Sequence, residues 1–241
     1  MTAGELLALA TDYDGTIAAH GIVADSTADA LLRARRAGKK LLLVSGRELN
    51  DLCGTFSRFE LFDLMVLENG GLIYEPSTQR ERLLCQPAPP EFAAALRERG
   101  VPEVSVGRVI VATSRPHETT MRETIRHLGL EYQVIVNKGA AMALPCGVDK
   151  ATGLEAALAE LGVSPRQTVG VGDAENDHAL LGLCGVGAAV ANAVDALRER
   201  ADFVATRDHG AGVAEVIDAM LGGRLRSRTS LERSKQGASE A

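Results

Sequence analysis

Apolar runs and their abrupt polar ends divide the chain into two strand–helix stretches separated by a segment of different texture. The run from Leu6 to Thr11 has the length of a strand buried on both faces, although apolarity alone also suits a helix. It ends in Asp12-Tyr13-Asp14-Gly15-Thr16. In an extended chain the alternation of side chains places Asp12 and Asp14 on one side, with Tyr13 pointing away. A helix is predicted from Asp25, with Asp25 or Ser26 as N-cap and Gly38 as its stop. Leu41 to Ser45 reads as a second buried strand ending in Ser45-Gly46-Arg47, followed by a short helix from about Glu48. Leu64 to Glu68 is a third strand, and Leu72 to Tyr74 returns from the Asn69-Gly70-Gly71 turn as a hairpin arm.

Beyond Pro76 the pattern changes to helix (91–99), hairpin (104–106 with 109–113), helix (116–127) and hairpin (132–136 with 141–144). Pro116 is expected near the N1 position of its helix, and Gly100 and Gly129 are expected to stop the two helices. Strand–helix alternation resumes at Val148. Asp149 caps a predicted helix from Lys150 to Leu161, and Gln167 to Val171 is a strand ending in Gly172-Asp173-Ala174-Glu175-Asn176-Asp177. Short strands at 185–190 and 202–205 and helices at 195–200 and 212–221 complete the pattern. The predicted fold class is α/β: a Rossmann-like core with a parallel sheet (1–78 and 148–223), a small α+β insertion of αββαββ form (79–147) and a disordered, solvated tail (224–241).

Composition narrows the function classes. A net charge of −6 argues against a general nucleic-acid binder, and 3% aromatic residues supply few platforms for stacking on bases or sugars. Cys53, Cys85, Cys146 and Cys184 form no CxxC pair, which points to free core thiols in a reducing cytoplasm. Neither a signal-type N-terminus nor a run long enough to cross a membrane is present. The expected setting is a cytoplasmic monomer or homodimer acting on a small molecule.

In an open α/β sheet, ligands bind beyond the carboxyl ends of the strands. Three strands here end in polar groups: Asp12 and Asp14, then Ser45, then Asp173 and Asp177. Carboxylates so crowded call for a hard divalent cation with oxygen ligands, of which Mg2+ fits best. Ser45 and Lys150 add a hydroxyl donor and a cation, the complement of a phosphoryl group.

These four segments resemble, in order and spacing, the four motifs of the haloacid dehalogenase superfamily of phosphatases, and the insertion resembles the cap of its Cof-like branch, to which phosphoglycolate and sucrose-phosphate phosphatases belong. The resemblance spans Leu6 to Leu221 and places the cap between the second and third motifs. It implies an Mg2+-dependent hydrolase of phosphate monoesters. Asp12 would be the nucleophile forming an aspartyl-phosphate, and Asp14 the general acid and then base, its backbone carbonyl also on the metal. Ser45 and Lys150 would hold the phosphoryl group, flanked by Gly46, Arg47 and Asn176. Asp173 would bind the metal directly, with Asp177 beside it.

Several competing readings are weaker. Gly170-Val171-Gly172 lacks the third glycine of a dinucleotide loop, since Glu175 occupies its place. Arg47 suits either a phosphate or a core acid, and Asn69 is better explained by turn chemistry than by a site role. His20, His117, His127, His178 and His209 show no metal-ligand spacing and read as surface or capping residues. A sugar phosphate phosphatase, a phosphomutase and a non-catalytic phosphate binder are the alternative functions, the last disfavoured by intact Asp12, Asp14, Lys150 and Asp173. Residues 76–147 carry nine Lys and Arg against seven Asp and Glu, in a chain of net charge −6. Arg115, between hairpin and helix, and Lys138, at a hairpin tip, are therefore candidates to recognise a carboxylate on the substrate, as in 2-phosphoglycolate.

Overall fold

A computed structural model describes residues 5–137 and 139–227. In chain order the elements are β1 (Ala8–Asp12), α1 (Asp25–Arg36), β2 (Lys40–Val44), α2 (Leu49–Thr55), β3 (Leu64–Leu67), β4 (Leu72–Glu75) and β5 (Arg80–Leu83). There follow α3 (Pro90–Glu98), β6 (Ser105–Val106), β7 (Val111–Ser114), α4 (Glu118–His127), β8 (Tyr132–Asn137) and β9 (Ala140–Pro145). The last stretch holds α5 (Lys150–Glu160), β10 (Thr168–Gly172), α6 (His178–Leu183), β11 (Val186–Ala189), α7 (Asp195–Arg200), β12 (Phe203–Val204) and α8 (His209–Leu221). The fold class is α/β, as expected, with the predicted αββαββ order between residues 90 and 145.

Packing divides the chain into Met1–Leu42 with Leu158–Ala241, and Leu43–Ala157. In the first unit β12, β11, β10 and β1 pair in parallel, in that order. Every residue of β1, β10 and β11 is buried, which is why these strands are continuous apolar runs of small and branched side chains. The β1–β10 register runs from Ala8↔Thr168 to Thr11↔Val171, so the two strands end side by side. Helix α1 turns Thr27, Ala28, Ala30, Leu31 and Ala34 inward and stops at Gly38, whose φ of 78° only glycine adopts without strain. Its N-cap is Ala24, with no side-chain cap, and Asp25 is already the first helical residue. Asp25 there still sits favourably against the positive end of the helix.

In the second unit β3, β4 and β5 form an antiparallel meander. Strand β5 was not legible in the sequence: Arg80-Glu81-Arg82 has no apolar alternation, because it is an edge strand whose side chains are mostly exposed. A separate antiparallel sheet has the order β6-β7-β9-β8. Helices α3 and α4 cover one face of it, burying Phe92, Leu96, Met121 and Ile125 against Val111, Ala141 and Ala143. The expected insertion, 79–147, lies within this unit. Helix α4 begins at Glu118, two residues after Pro116, and α8 begins at His209 rather than Gly212. Only Cys184 is a buried thiol, Cys53 and Cys146 being exposed, so the expectation of core thiols holds for one cysteine. Of the expected tail, 224–227 are described: Leu225 is buried, and Ser227 Oγ donates to Arg166 O at 2.8 Å. The rest lies outside the described residues.

One close approach fixes where α5 starts. A Cβ on Gly153 would lie 2.5 Å from Gly70 Cα, and one on Gly70 would lie 1.9 Å from Asp149 O. The first turn of α5 therefore rests directly on the turn after β3, and Asp149 Oδ1 accepts from Thr152 N at 2.8 Å to cap it. Gly153→Ala is expected to destabilise by about 1–3 kcal/mol through this backbone clash, despite alanine's better helix propensity. Gly54→Ala in α2, where a Cβ meets nothing within 4 Å, should stabilise by about 0.5–1 kcal/mol. Urea midpoints of the two variants moving in the same direction would refute the contrast.

Candidate active site

The apolar core of the first unit ends in charge. Asp12 closes β1 at 5% exposure, Asp173 follows β10 at 5%, and Asp177 is fully buried. Side-chain oxygens of these three lie within 4.8 Å of one another. Neighbours set the orientation of Asp173 and Asp177. Thr16 Oγ1 donates to Asp173 Oδ1 at 2.9 Å, while Asp177 Oδ2 accepts from the backbone N–H groups of Asp173 and Ala174, both at 3.0 Å. That folding-back explains Gly172: a Cβ there would lie 2.5 Å from Asp177 Cβ. Three buried carboxylates at this spacing repel one another strongly in the absence of a cation. All are hard oxygen donors, so the trio suits a divalent metal of the Mg2+ class.

Asp14 is half-buried, in a loop closed by Gly15 N donating to Ala18 O and by Ala18 N donating to Tyr13 O, both at 2.9 Å. Tyr13 is fully buried, and its hydroxyl donates to Gly21 O at 2.9 Å. Among the described residues the carboxylate cluster takes in Asp12, Asp173 and Asp177 but not the Asp14 side chain, which belongs to this loop.

In the second unit, buried Ser45 follows β2, and its Oγ accepts from Arg47 N at 3.2 Å. This stretch is stitched to the turn after β3: Asn69 N donates to Ser45 O, and Glu68 N to Arg47 O, both at 3.1 Å. Gly46 lets the Asn69 amide pack closely, since a Cβ there would lie 3.0 Å from it and push it back by a few tenths of an ångström. Asn69 does serve turn chemistry, with a left-handed φ of 51°, but it is also fully buried over Gly46. Lys150 is buried as the first residue of α5, and Asn176 is half-buried between Asp173 and Asp177 in the chain.

The sequence profile of haloacid dehalogenase-like hydrolases matches residues 9–99 and 141–217. The chain belongs to this family. It is an enzyme of the family's phosphatase type. A phosphoglycolate phosphatase of Methanothermobacter thermautotrophicus is 30% identical over 227 residues, covering 89% of this chain and 99% of that one. Among solved structures, Thermoplasma acidophilum 0175 superposes with a TM-score of 0.78 at 16% identity, over 90% of this hydrolase and 98% of that chain. The subclass IIB sugar phosphatase BT4131 gives 0.71 at 18% identity, over 88% and 98%. At such identities the two structures speak for the fold.

Several residues of this hydrolase were not singled out by motif reading. Thr16 anchors Asp173, and Asn192 and His209 converge on Gly15. His209, read as a surface or capping residue, is instead half-buried with its ring against the loop that follows Asp14. Glu68 is the fourth: it is 1% exposed, has a φ of 53°, and its carboxylate accepts from the N–H groups of Arg108, Val109 and Ile110 at 2.8, 2.8 and 3.1 Å. No spacing rule announces such contacts, since each joins residues distant in sequence.

Arg47 pairs with Asp51 at 2.7 Å, an exposed acid one helical turn away. Arg115 lies between β7 and α4, as expected, and its Nε and Nη2 reach Glu118 Oε1 at 3.3 and 3.1 Å. Lys138 lies outside the described residues. No helix among those described is long and apolar enough to cross a membrane.

Beside Glu68, Glu48 Oε1 accepts from Ser105 Oγ at 2.6 Å. Burial pushes the Glu48 carboxyl above its ordinary value of 4.5, and the nearby charges of Glu68 and Asp51 add to this, while Ser105 and Arg108 oppose it. The ionised form is thus disfavoured in the folded state. This penalty is absent below pH 4.5 and grows as pH rises through the raised value. Glu48→Gln, which keeps an acceptor for Ser105, should melt higher than wild type at pH 8, with the gap closing by about pH 4. An equal gap at both pH values would refute the assignment.

Proposed function

We propose that the protein is an Mg2+-dependent phosphomonoesterase working through an aspartyl-phosphate on Asp12, with a small phosphorylated acid such as 2-phosphoglycolate as substrate. The observation that carries this reading is the buried trio of Asp12, Asp173 and Asp177 within 4.8 Å. Asp12, the first of the trio and the last residue of β1, lies in the segment matched by the hydrolase family, which supports giving it the nucleophile's role. When bound, the cation offsets the charge that carboxylates and phosphoryl oxygens would otherwise set against each other.

Asp12 attacks phosphorus, and the bond from phosphorus to the ester oxygen breaks as the new one forms. Asp14 gives its proton to the departing oxygen, then takes one from the water that attacks the aspartyl-phosphate, releasing inorganic phosphate and restoring Asp12. Ser45, with Gly46, Arg47 and Asn176, is assigned to the phosphoryl oxygens, and Lys150 to neutralising them. Asp173 would hold the metal, with Asp177 and the Asp14 carbonyl beside it. Segment 79–147 acts as the cap that selects the leaving group. The 30%-identical phosphoglycolate phosphatase and the Arg-rich composition of the cap support an acidic substrate. Four free cysteines suit a cytoplasmic enzyme.

Phosphate release from p-nitrophenyl phosphate and a panel of metabolite esters tests this directly. Turnover should stop in excess chelator and return with Mg2+; full activity in chelator would remove the metal. Mg2+ should also raise the melting temperature of the wild type, with Asp173→Ala needing more Mg2+ for the same increment than Asp177→Ala. Asp12→Asn should lose roughly a thousandfold or more in kcat while staying folded, because the amide is nearly isosteric but a far weaker nucleophile. Near-wild-type turnover in that variant would end the covalent mechanism.

Substrate choice has its own test. Arg115→Ala should raise KM for 2-phosphoglycolate roughly tenfold and leave p-nitrophenyl phosphate unaffected, since a charge-assisted contact remote from phosphorus is lost. Neutral sugar phosphates winning the panel, or an equal effect on every ester, would show selection by shape.

A further inference from the structure

The loop after β1 is held from a direction that the four motifs do not explain. The Gly15 carbonyl accepts from Asn192 Nδ2 at 2.8 Å, and His209 Nδ1 lies 2.8 Å from the same oxygen. A carbonyl has no hydrogen to give, so the proton between them sits on His209 Nδ1. Asn192 Oδ1 accepts from His209 N at 2.7 Å, which fixes the orientation of the amide and turns its donor toward Gly15.

The peptide unit that contains the Gly15 carbonyl also contains the N–H of Thr16. That N–H donates to Tyr13 O at 3.3 Å, and Thr16 Oγ1 reaches Asp173. Both ends of one peptide plane are therefore tied, immediately after Asp14. The tie is itself anchored. His209 opens α8 with a left-handed φ of 50°, and a Cβ on the next residue, Gly210, would lie 2.0 Å from Thr27 Oγ1. Helix α8 is pressed onto α1 at this point, so His209 cannot drift from the loop without separating two packed helices.

We propose that Asn192 and His209 are positioning residues for the proton donor. They fix the Gly15 peptide and through it the direction of the Asp14 carboxyl, so that the leaving oxygen receives its proton on departure. This rests on the reading of Asp14 as general acid. Misdirecting an acid costs most where the leaving group most needs a proton, whereas loss of general packing costs every substrate alike.

The test uses p-nitrophenyl phosphate and phenyl phosphate, esters of similar shape whose leaving groups differ widely in basicity. His209→Gly tolerates the left-handed backbone and removes the donor. His209→Asn tolerates it too and places an amide N–H the same number of bonds from Cα as Nδ1. His209→Gly should lower kcat on phenyl phosphate roughly tenfold more than on p-nitrophenyl phosphate with little change in KM, and His209→Asn should restore both. Asn192→Leu should reproduce the His209→Gly pattern. Asp14→Asn is the control: it should show the largest discrimination, and adding His209→Gly to it should produce no further discrimination.

Equal losses on both esters in His209→Gly, or a change confined to KM, would overturn the positioning role while leaving Asp14 as the acid. So would an Asn variant that behaves like the Gly one. Equal losses in Asp14→Asn would overturn the acid reading, and the positioning role would fall with it.

Discussion

Mutual repulsion among three buried carboxylates is the constraint around which this molecule is built. Asp12, Asp173 and Asp177 share a region under 5 Å across with almost no water contact. Such a cluster persists only on a rigid support. The support is the parallel pairing of β1 and β10, whose matched register ends both strands at one level. Small residues allow it: Gly172 leaves space for Asp177 to fold back, and Thr16 supplies a hydroxyl to Asp173 from the opposite loop. Oriented backbone dipoles share in the task, since Asp177 is held by two N–H groups.

Glu68 in the second unit obeys the same logic. Its carboxylate is buried and accepts from three successive backbone N–H groups in the loop from Arg108 to Ile110. Gly107 precedes them because a Cβ there would lie 2.7 Å from the carboxylate. A lysine or arginine partner would demand room and desolvation of its own, whereas amides already present in a turn meet an anion without extra side chains. The left-handed backbone of Glu68 and Asn69 is stabilised by these bonds and by the stitching to Ser45 and Arg47. Charges buried beside backbone donors are thus used twice, in segments with unrelated sequences.

What could be read in advance follows from how far each signal reaches along the chain. Strand β1 was legible because burial on both faces leaves a continuous apolar run, and its carboxylates stand out because that run stops at once. The αββαββ order was legible from proline and glycine punctuation, down to Gly100 and Gly129 with φ of 81° and 65°. The edge strand β5 was not, because exposed charge carries no period. His209 and Asn192 were passed over for a related reason: their partner is a main-chain carbonyl 194 and 177 residues away, and a carbonyl leaves no trace in a sequence. Glu68 was missed likewise, its three partners being amides 40 to 42 residues distant.

The interleaving of the two units sets an order on how the chain assembles. Residues Leu43–Ala157 are contiguous, and their sheets join neighbouring segments, so the closure entropy for this unit is small and it can form while synthesis continues. The other unit is split, and β1 can find β10 only after the intervening residues have emerged. Thr16 and Asp173 are 157 residues apart, so the carboxylate cluster requires nearly the whole chain to be present. A middle unit that folded first would shorten the effective loop that β1 and β10 must close, and so turn a large insertion into an aid to the closing step.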